Sequence, residues 1–194
     1  MKNKIIKGLL VGSILACSAF ADVYVGVEYG QVGNTDELTA DGGSTSVTQD
    51  NKYSDLGVKL GFGTDGDWKM QLRFSKIAYD KVIFDSTHKD LNEFGLDIIK
   101  EFEVSKNAYP FIKIGIGYGK MNVDGYSESS IGEVSVNGGV GISYKAIEHL
   151  YLVAGVDYVY RKWQDIELTY NYTTYTISTT GSGVKVYGGI NYAF

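Results

Sequence analysis

Residues 184–194, Val-Lys-Val-Tyr-Gly-Gly-Ile-Asn-Tyr-Ala-Phe, alternate apolar side chains with polar or small ones. Val184, Val186, Ile190, Tyr192 and Phe194 fall on one face, and Lys185, Tyr187, Gly189, Asn191 and Ala193 on the other. Such a period-2 pattern predicts a strand between two unlike environments. Repeats of it predict eight strands, near residues 22–33, 53–63, 68–78, 91–102, 109–119, 133–145, 150–161 and 182–194. Each approaches the ~9–11 residues with which a tilted strand crosses a bilayer.

The apolar faces read Val23/Val25/Val27/Tyr29, Leu56/Val58/Leu60/Phe62, Trp68/Met70/Leu72/Phe74, Phe94/Leu96/Ile98, Ile112/Ile114/Ile116/Tyr118, Val134/Val136/Val140/Ile142/Tyr144, Leu152/Ala154/Val156/Tyr158/Tyr160 and the terminal set. The fourth segment is the least regular. Ile99 takes the polar face and Lys100 the apolar one, which predicts a bulge or an early end near Lys100.

Three short turn signals, Thr64-Asp-Gly-Asp67, Ser105-Lys-Asn107 and Ala146-Ile-Glu-His149, divide residues 22–194 into four units of strand, long connection and strand. The connections at the opposite end, about 34–52, 79–90, 120–132 and 162–181, are longer. Two hold strand-like sequence: Glu37–Ala40 with Ser44–Thr48 around Asp41-Gly-Gly43, and Ile166–Tyr170 with Thr173–Ile177. These hairpins are expected to continue past the membrane as a small exposed sheet. Short turns at one end and long loops at the other match a barrel whose strands face lipid outside and a polar lumen inside.

The start of the chain reads as an export signal. Lys2, Lys4 and Lys7 form a basic region, Leu9 to Ala16 is apolar, and Ala19-Phe20-Ala21 is a cleavage site before Asp22. Residues 1–21 are therefore expected to be a signal peptide and 22–194 a single barrel domain. Ile14-Leu15-Ala16-Cys17 competes as a lipoprotein signal, with Leu15 a poor fit; the mass of the mature protein distinguishes the two. Cleavage after Ala21 leaves fifteen basic against 23 acidic side chains, which argues against a nucleic-acid partner. It also removes Cys17, the only cysteine, and with it any disulfide or thiolate chemistry. The 25 glycines, single proline (Pro110) and 16 tyrosines suit many strands with aromatic belts.

Tyr109-Pro-Phe-Ile-Lys-Ile-Gly-Ile-Gly-Tyr-Gly119, Leu150-Tyr-Leu-Val-Ala-Gly-Val-Asp-Tyr158 and the tail ending in Phe194 carry a resemblance. The chain resembles the small eight-stranded outer-membrane barrels of Gram-negative bacteria, the group of the OmpA membrane domain, OmpX, OmpW and the opacity-type adhesins. The resemblance implies an all-β, eight-stranded antiparallel up-and-down transmembrane barrel with both termini in the periplasm. It also implies that Tyr192 and Phe194 form a recognition signal for the barrel-assembly machinery. Outer-membrane lipid, lipopolysaccharide and a surface ligand held by the loops are the other expected partners, and a monomer is the expected state. The barrel pattern runs to Phe194, so a peptidoglycan-binding role is not expected.

Inward residues at mid-height, counted from each turn, give one per strand: Glu28, Lys59, Arg73, Asp97, Lys113, Asn137, Asp157 and Lys185. Their signs predict a plugging ring with Glu28 beside Lys59, Arg73 beside Asp97, Asp97 beside Lys113, and Lys185 closing on Glu28, because buried charges persist when paired. Glu93, Glu133, Lys69 and Gln71 also point inward. No catalytic, metal or cofactor residue stands out. His88 and His149 sit at opposite ends, Asp65-Gly-Asp67 lacks the spaced ligands of a calcium loop and reads as a tight turn, and Asn171-Tyr-Thr173 matches a glycosylation sequon by chance. The Thr/Tyr-rich tract 169–180 reads equally as an adhesive surface or as a plain hairpin. The leading expectation is a non-enzymatic surface scaffold for adhesion or envelope integrity. A small-solute channel, an outer-membrane lipid enzyme and a soluble lipocalin-like barrel are the alternatives.

Overall fold

A computed structural model describes residues 22–40, 46–84, 87–124, 129–170 and 173–194. The expected signal peptide with Ala19 and Ala21, Cys17, the Asp41-Gly-Gly43 turn and Asn171 lie outside these residues. The described chain is β throughout: β1 Asp22–Ala40, β2 Ser46–Gly63, β3 Trp68–Tyr79, β4 Asp90–Glu101, β5 Ala108–Asn122, β6 Ser130–Ile147, β7 Leu150–Trp163, β8 Ile166–Tyr170 and β9 Thr173–Ala193. Neighbours in sequence pair antiparallel from β1 to β7, β9 pairs with β7, and β1–β9 pairing closes the ring. Eight strands thus close into a barrel wall, which removes the pairing hazard of an open sheet there, while β8 stands as an edge strand at one end. The eight predicted segments fall on these eight strands, with Phe102 and Phe194 one residue past the ends of β4 and β9.

The stagger of the ring follows from its registers. From Gly26 the paired residues run through Lys59, Arg73, Gly95, Gly117, Ser135, Arg161 and Gly181, then return to β1 at Asp36, ten residues beyond Gly26. Strands in so staggered a barrel tilt strongly, and eight of them leave room for side chains alone.

The short turns mark one end, here the turn end. Asp67 N–H donates to the Thr64 carbonyl at 3.1 Å, and Gly66 takes the positive φ (75°) that the first turn requires. Phe194 N–H donates to the Val23 carbonyl at 2.9 Å, so both strand termini meet at this end. At the other end, the loop end, β1 and β2 stay paired out to Thr39 and Ser46, and Ala40 pairs with Ile177 of β9. β8 pairs with β9 from Ile166↔Ile177 to Tyr170↔Thr173, so β2, β1, β9 and β8 form the small exposed sheet.

Of the two outcomes expected near Lys100, the bulge is not found, and β4 ends at Glu101. The β4 ladder runs unbroken to Glu101. Ile99 packs inside with Phe111, Val153 and Tyr187, and the Lys100 ammonium reaches Asp67 at 2.6 Å with its charge over the Trp68 and Phe102 rings. A long cationic side chain at a band edge can take the apolar face because its charge bends back to a polar partner. The register shift falls instead in β6, between Lys145 and Ile147.

Outward side chains form a continuous apolar band. Val27, Val58, Phe74, Phe94, Ile114, Val136, Tyr158 and Val186 are all exposed on it. Toward the loop end the outward residues turn polar at Gln31, Ser54, Lys76, Asn92, Lys120, Lys162 and Ser182.

Candidate functional site

The lumen is filled in three layers. At the level of the band lies a lattice of buried charge. Glu28 accepts hydrogen bonds from Lys59 Nζ at 2.9 Å and Lys185 Nζ at 2.7 Å, and Lys185 also reaches Asp55 at 2.7 Å. Arg73 Nη1 pairs with Glu93 at 2.9 Å and lies 3.7 Å from Asp55, while its Nε lies 3.6 Å from Asp97. Arg161 joins Glu93 at 3.0 Å, approaches Glu133 at 3.7 Å and donates to the Tyr53 hydroxyl. Lys113 pairs with Asp157 at 2.7 Å. Neutral donors complete it: Gln71 to Asp97 at 2.9 Å, Asn137 to Asp97 at 3.4 Å and Ser135 to Glu93 at 3.1 Å. Charges this deep cost several kcal/mol each to desolvate, so such a lattice holds only when each charge has partners.

The structure brings together most, not all, of the predicted ring. Glu28, Lys59, Arg73, Asp97, Lys113, Asn137, Asp157 and Lys185 are all inward and buried. Glu28–Lys59, Arg73–Asp97 and Lys185–Glu28 are in contact. Asp97 beside Lys113 is the correction: Lys113 bonds Asp157, and Asp97 takes Gln71 and Asn137. Counting equal heights from each turn treats the ring as flat, whereas the ten-residue stagger slides neighbouring strands along one another. The same slant brings Asp55 and Arg161 into the lattice, which the flat ring omitted. Both were within reach of the sequence, since Asp55 continues the inward series of Lys59 and Arg161 that of Asp157.

Toward the loop end the lumen becomes an ordinary hydrophobic core. Val32, Tyr53, Ile77, Tyr79, Leu91, Met121, Ile131 and Trp163 face inward from the strands, and Ile83 and Phe84 from the β3–β4 connection pack onto them. The Phe84 ring meets Trp163 edge-on with centroids 5.2 Å apart. This apolar plug was not foreseen.

Toward the turn end lies a cavity of about 30 Å³, bordered by Tyr24, Lys69, Gln71, Glu101, Tyr151 and Tyr187. A cavity needs about 10–15 Å³ on this measure to hold one water, so this one has room for a few at most. Asp65 in the first turn closes over it, accepting from the Tyr151 hydroxyl at 2.5 Å and Lys69 Nζ at 2.9 Å. Burial opposes its ionisation, but Tyr151, Lys69 and Lys145 outweigh that and hold its carboxyl below the ordinary range. At the loop end, burial holds the Asp36 carboxyl above that range despite hydrogen bonds from Asn34 and Asn51.

Among the described residues no cluster of His, Cys, Asp and Glu has the makings of a metal site. His88 lies 3.5 Å from Asp124, and the His149 ring stacks near Tyr192 at the turn end, so neither approaches Ser135 or the inner carboxylates. The arrangement is built to occupy the lumen. In the lattice the Ser135 hydroxyl donates to Glu93, whose carboxylate has an arginine beside it where a nucleophile would need a base. Tyr192 and Phe194 are exposed outward with ring centroids 5.2 Å apart.

A family model described as outer membrane protein beta-barrel domain matches residues 8–188. No curated protein matches the sequence. Among solved structures the chain is similar to Neisserial surface protein A, at 17% identity and a TM-score of 0.58 over 90% of this chain and 99% of that one. It is also similar to OprG of Pseudomonas aeruginosa, at 13% identity and a TM-score of 0.56 over 90% and 96%. The outer membrane protein AlkL, solved in DMPC bilayers, gives 13% identity and a TM-score of 0.55 over 90% of each chain. At these identities the likeness concerns the fold.

Proposed function

Because the chain belongs to the outer membrane β-barrel family, we propose that it is a non-enzymatic, lumen-sealed scaffold that displays its loop-end sheet for adhesion or envelope integrity. The observation that carries this reading is the filled lumen, a charge lattice backed by an apolar plug. A barrel so packed offers solutes no continuous path, and what varies with function is then the surface it holds up. In this reading residues 1–21 are removed on export and the turn end with both termini faces the periplasm. Tyr192 and Phe194 then serve as the signal read by the assembly machinery.

Planar-bilayer recording of the reconstituted barrel is expected to show no conductance above background, and discrete ohmic steps would overturn the seal. Deletion of residues 166–178 is expected to leave membrane insertion normal and abolish surface binding. A deletion that binds as well as the parent would exclude the hairpin as the displayed element.

A second reading, passage of a small apolar solute, is favoured by one observation: the loop-end chamber is apolar and part of its filling, Ile83 and Phe84, comes from a connection and not from a strand. Faster entry of an apolar dye into barrel-bearing liposomes after Phe84→Ala supports it, and unchanged entry argues against it.

A further inference from the structure

Where the apolar band ends on the loop side, its edge is not uniform around the barrel. On β9, β1 and β2 the first polar outward residues are Ser182, Gln31 and Ser54, none of them charged. On β3, β4 and β5 they are Lys76, Asn92 and Lys120, and these three stand in register, Lys76 paired with Asn92 and Asn92 with Lys120. One outward step back into the band the same strands carry Phe74, Phe94 and Tyr118, paired in the same way and each half-exposed. A row of three aromatic rings in the band thus borders a row of cation, amide and cation just beyond it.

The Tyr118 hydroxyl reaches the polar row as well. It lies 3.4 Å from where a Cβ on Gly132 would stand, and Gly132 is the residue paired with Lys120. Among the described residues the Lys120 ammonium, the Asn92 amide and the Tyr118 hydroxyl have no hydrogen-bond or ion-pair partner, and all three side chains are exposed. Lys76 reaches Asp90 at 3.2 Å, but with both side chains more than half exposed the pair is held weakly, and a stronger anion can take Lys76 over. The two lysines, ~10 Å apart across two strand spacings, lean over Asn92 on long flexible stems. Two cations on one spot complement a doubly charged anion. A phosphate monoester carries about −1.5 to −2 near neutral pH, whereas the phosphodiester of an ordinary phospholipid carries a single charge. The aromatic row further requires that the phosphate arrive on a molecule whose body lies in the apolar layer.

We propose that β3, β4 and β5 form a site for lipid A, the phosphorylated glucosamine lipid of lipopolysaccharide. Lys76 and Lys120 hold one of its phosphates, the Asn92 amide and the Tyr118 hydroxyl donate to it, and the acyl chains run down over Phe74 and Phe94. The site rests on the reading above that turns the loop end outward, and the sealed lumen plays no part in it.

The test titrates the full folded barrel in mixed micelles with lipid A and with the same lipid stripped of its phosphates, bound lipid being counted by native mass spectrometry. One lipid A per barrel is expected. Lys76→Gln and Lys120→Gln should each weaken it about fivefold, the upper range for an exposed ion pair, and together bring it to the level of the phosphate-free lipid. Lys52→Gln removes the same charge from the loop-end surface of β2 and is expected to change nothing. Equal binding of the two lipids by the parent overturns the site, as does a loss from Lys52→Gln as large as that from Lys120→Gln, which would trace binding to overall charge. So does undiminished binding by the double variant when it still migrates as a folded, heat-modifiable barrel. Should the double variant fail to fold, the exposed Lys120→Gln change decides alone, unchanged binding counting against the site. Micelles have no sides, so orientation is read separately, by protease cleavage at the loop end on intact cells; protection there with lipid A binding intact would overturn the outward reading while the headgroup chemistry stood.

Discussion

The band and the loop-end extension are made of the same strands, yet their side chains obey opposite rules. Within the band β1 turns Val25, Val27 and Tyr29 outward and Glu28 inward; beyond it Gln31 faces out and Val32 in. On β4 the outward residue changes from Phe94 to Asn92 and the inward one from Glu93 to Leu91, and on β7 from Tyr160 to Lys162 and from Arg161 to Trp163. The period of two belongs to the pleat and never changes. The polarity assigned to each face belongs to the medium outside and reverses within two residues. In the band, lipid outside leaves no hydrophobic gain for apolar side chains turned inward, and charge pairing fills the lumen. In the extension, water outside restores the usual core.

The two interiors therefore should fail in different ways. Arg73→Ala removes the cation shared by Asp55, Glu93 and Asp97, and stranding buried carboxylates is expected to cost about 3–5 kcal/mol. Urea unfolding of the reconstituted barrel measures it, and an unmoved midpoint would mean the lattice bears no stability. Trp163→Ala empties the centre of the plug, where the ring meets Tyr79 and Phe84. Its expected cost is about 3 kcal/mol, the low side for a large aromatic. Hydrogen exchange should show the damage confined to amides beyond the band, with the band still protected; loss of protection throughout would unite the two regions into one cooperative unit.

The band was the legible part of the chain, because lipid on one side and charge on the other give strong contrast at every second residue. Residue types in the lattice were legible too, but their partners were not. Pairing Lys113 with Asp157 instead of Asp97 depends on the stagger, which closure of the ring sets and no single strand reveals. The plug escaped notice for a different reason. Ile77, Leu91 and Met121 continue the inward series of Ser75, Glu93 and Gly119, and reading them correctly requires knowing where the bilayer stops. The part of the plug given by Ile83 and Phe84 comes from a connection without period, so no pattern announced it.

The outer face offers a sharper contrast on one strand. Val58 and Ser54 both point outward from β2, four residues apart, the first in mid-band and the second just beyond it. Arginine at residue 58 is expected to destabilise the barrel by about 2–4 kcal/mol, and arginine at residue 54 by about 0–1 kcal/mol. Equal costs in a reconstituted unfolding assay would place the lipid boundary elsewhere on β2.

The smallest expected effect separates the two ends by pH. Asp36, beyond the band, accepts hydrogen bonds from Asn34 at 2.6 Å and Asn51 at 3.4 Å, yet burial keeps its carboxyl above the ordinary range. Asp65, at the turn end, is pushed up by its partial burial but pulled further down by Tyr151, Lys69 and Lys145. A raised carboxyl binds its proton more tightly when folded, so its stabilisation is complete below the unfolded value and is lost as pH rises through the folded one. A lowered carboxyl gives stability above the unfolded value that is lost as pH falls through the folded one. Acidification from neutral pH should therefore tighten β1 and β2 around Asp36 and loosen the Thr64–Asp67 turn. Hydrogen exchange at acid and neutral pH should show protection moving in opposite directions, with Asp36→Asn flattening one response and Asp65→Asn the other. Parallel changes at both ends would trace the response to the charge lattice they share, since only separately held carboxylates can move the two ends apart.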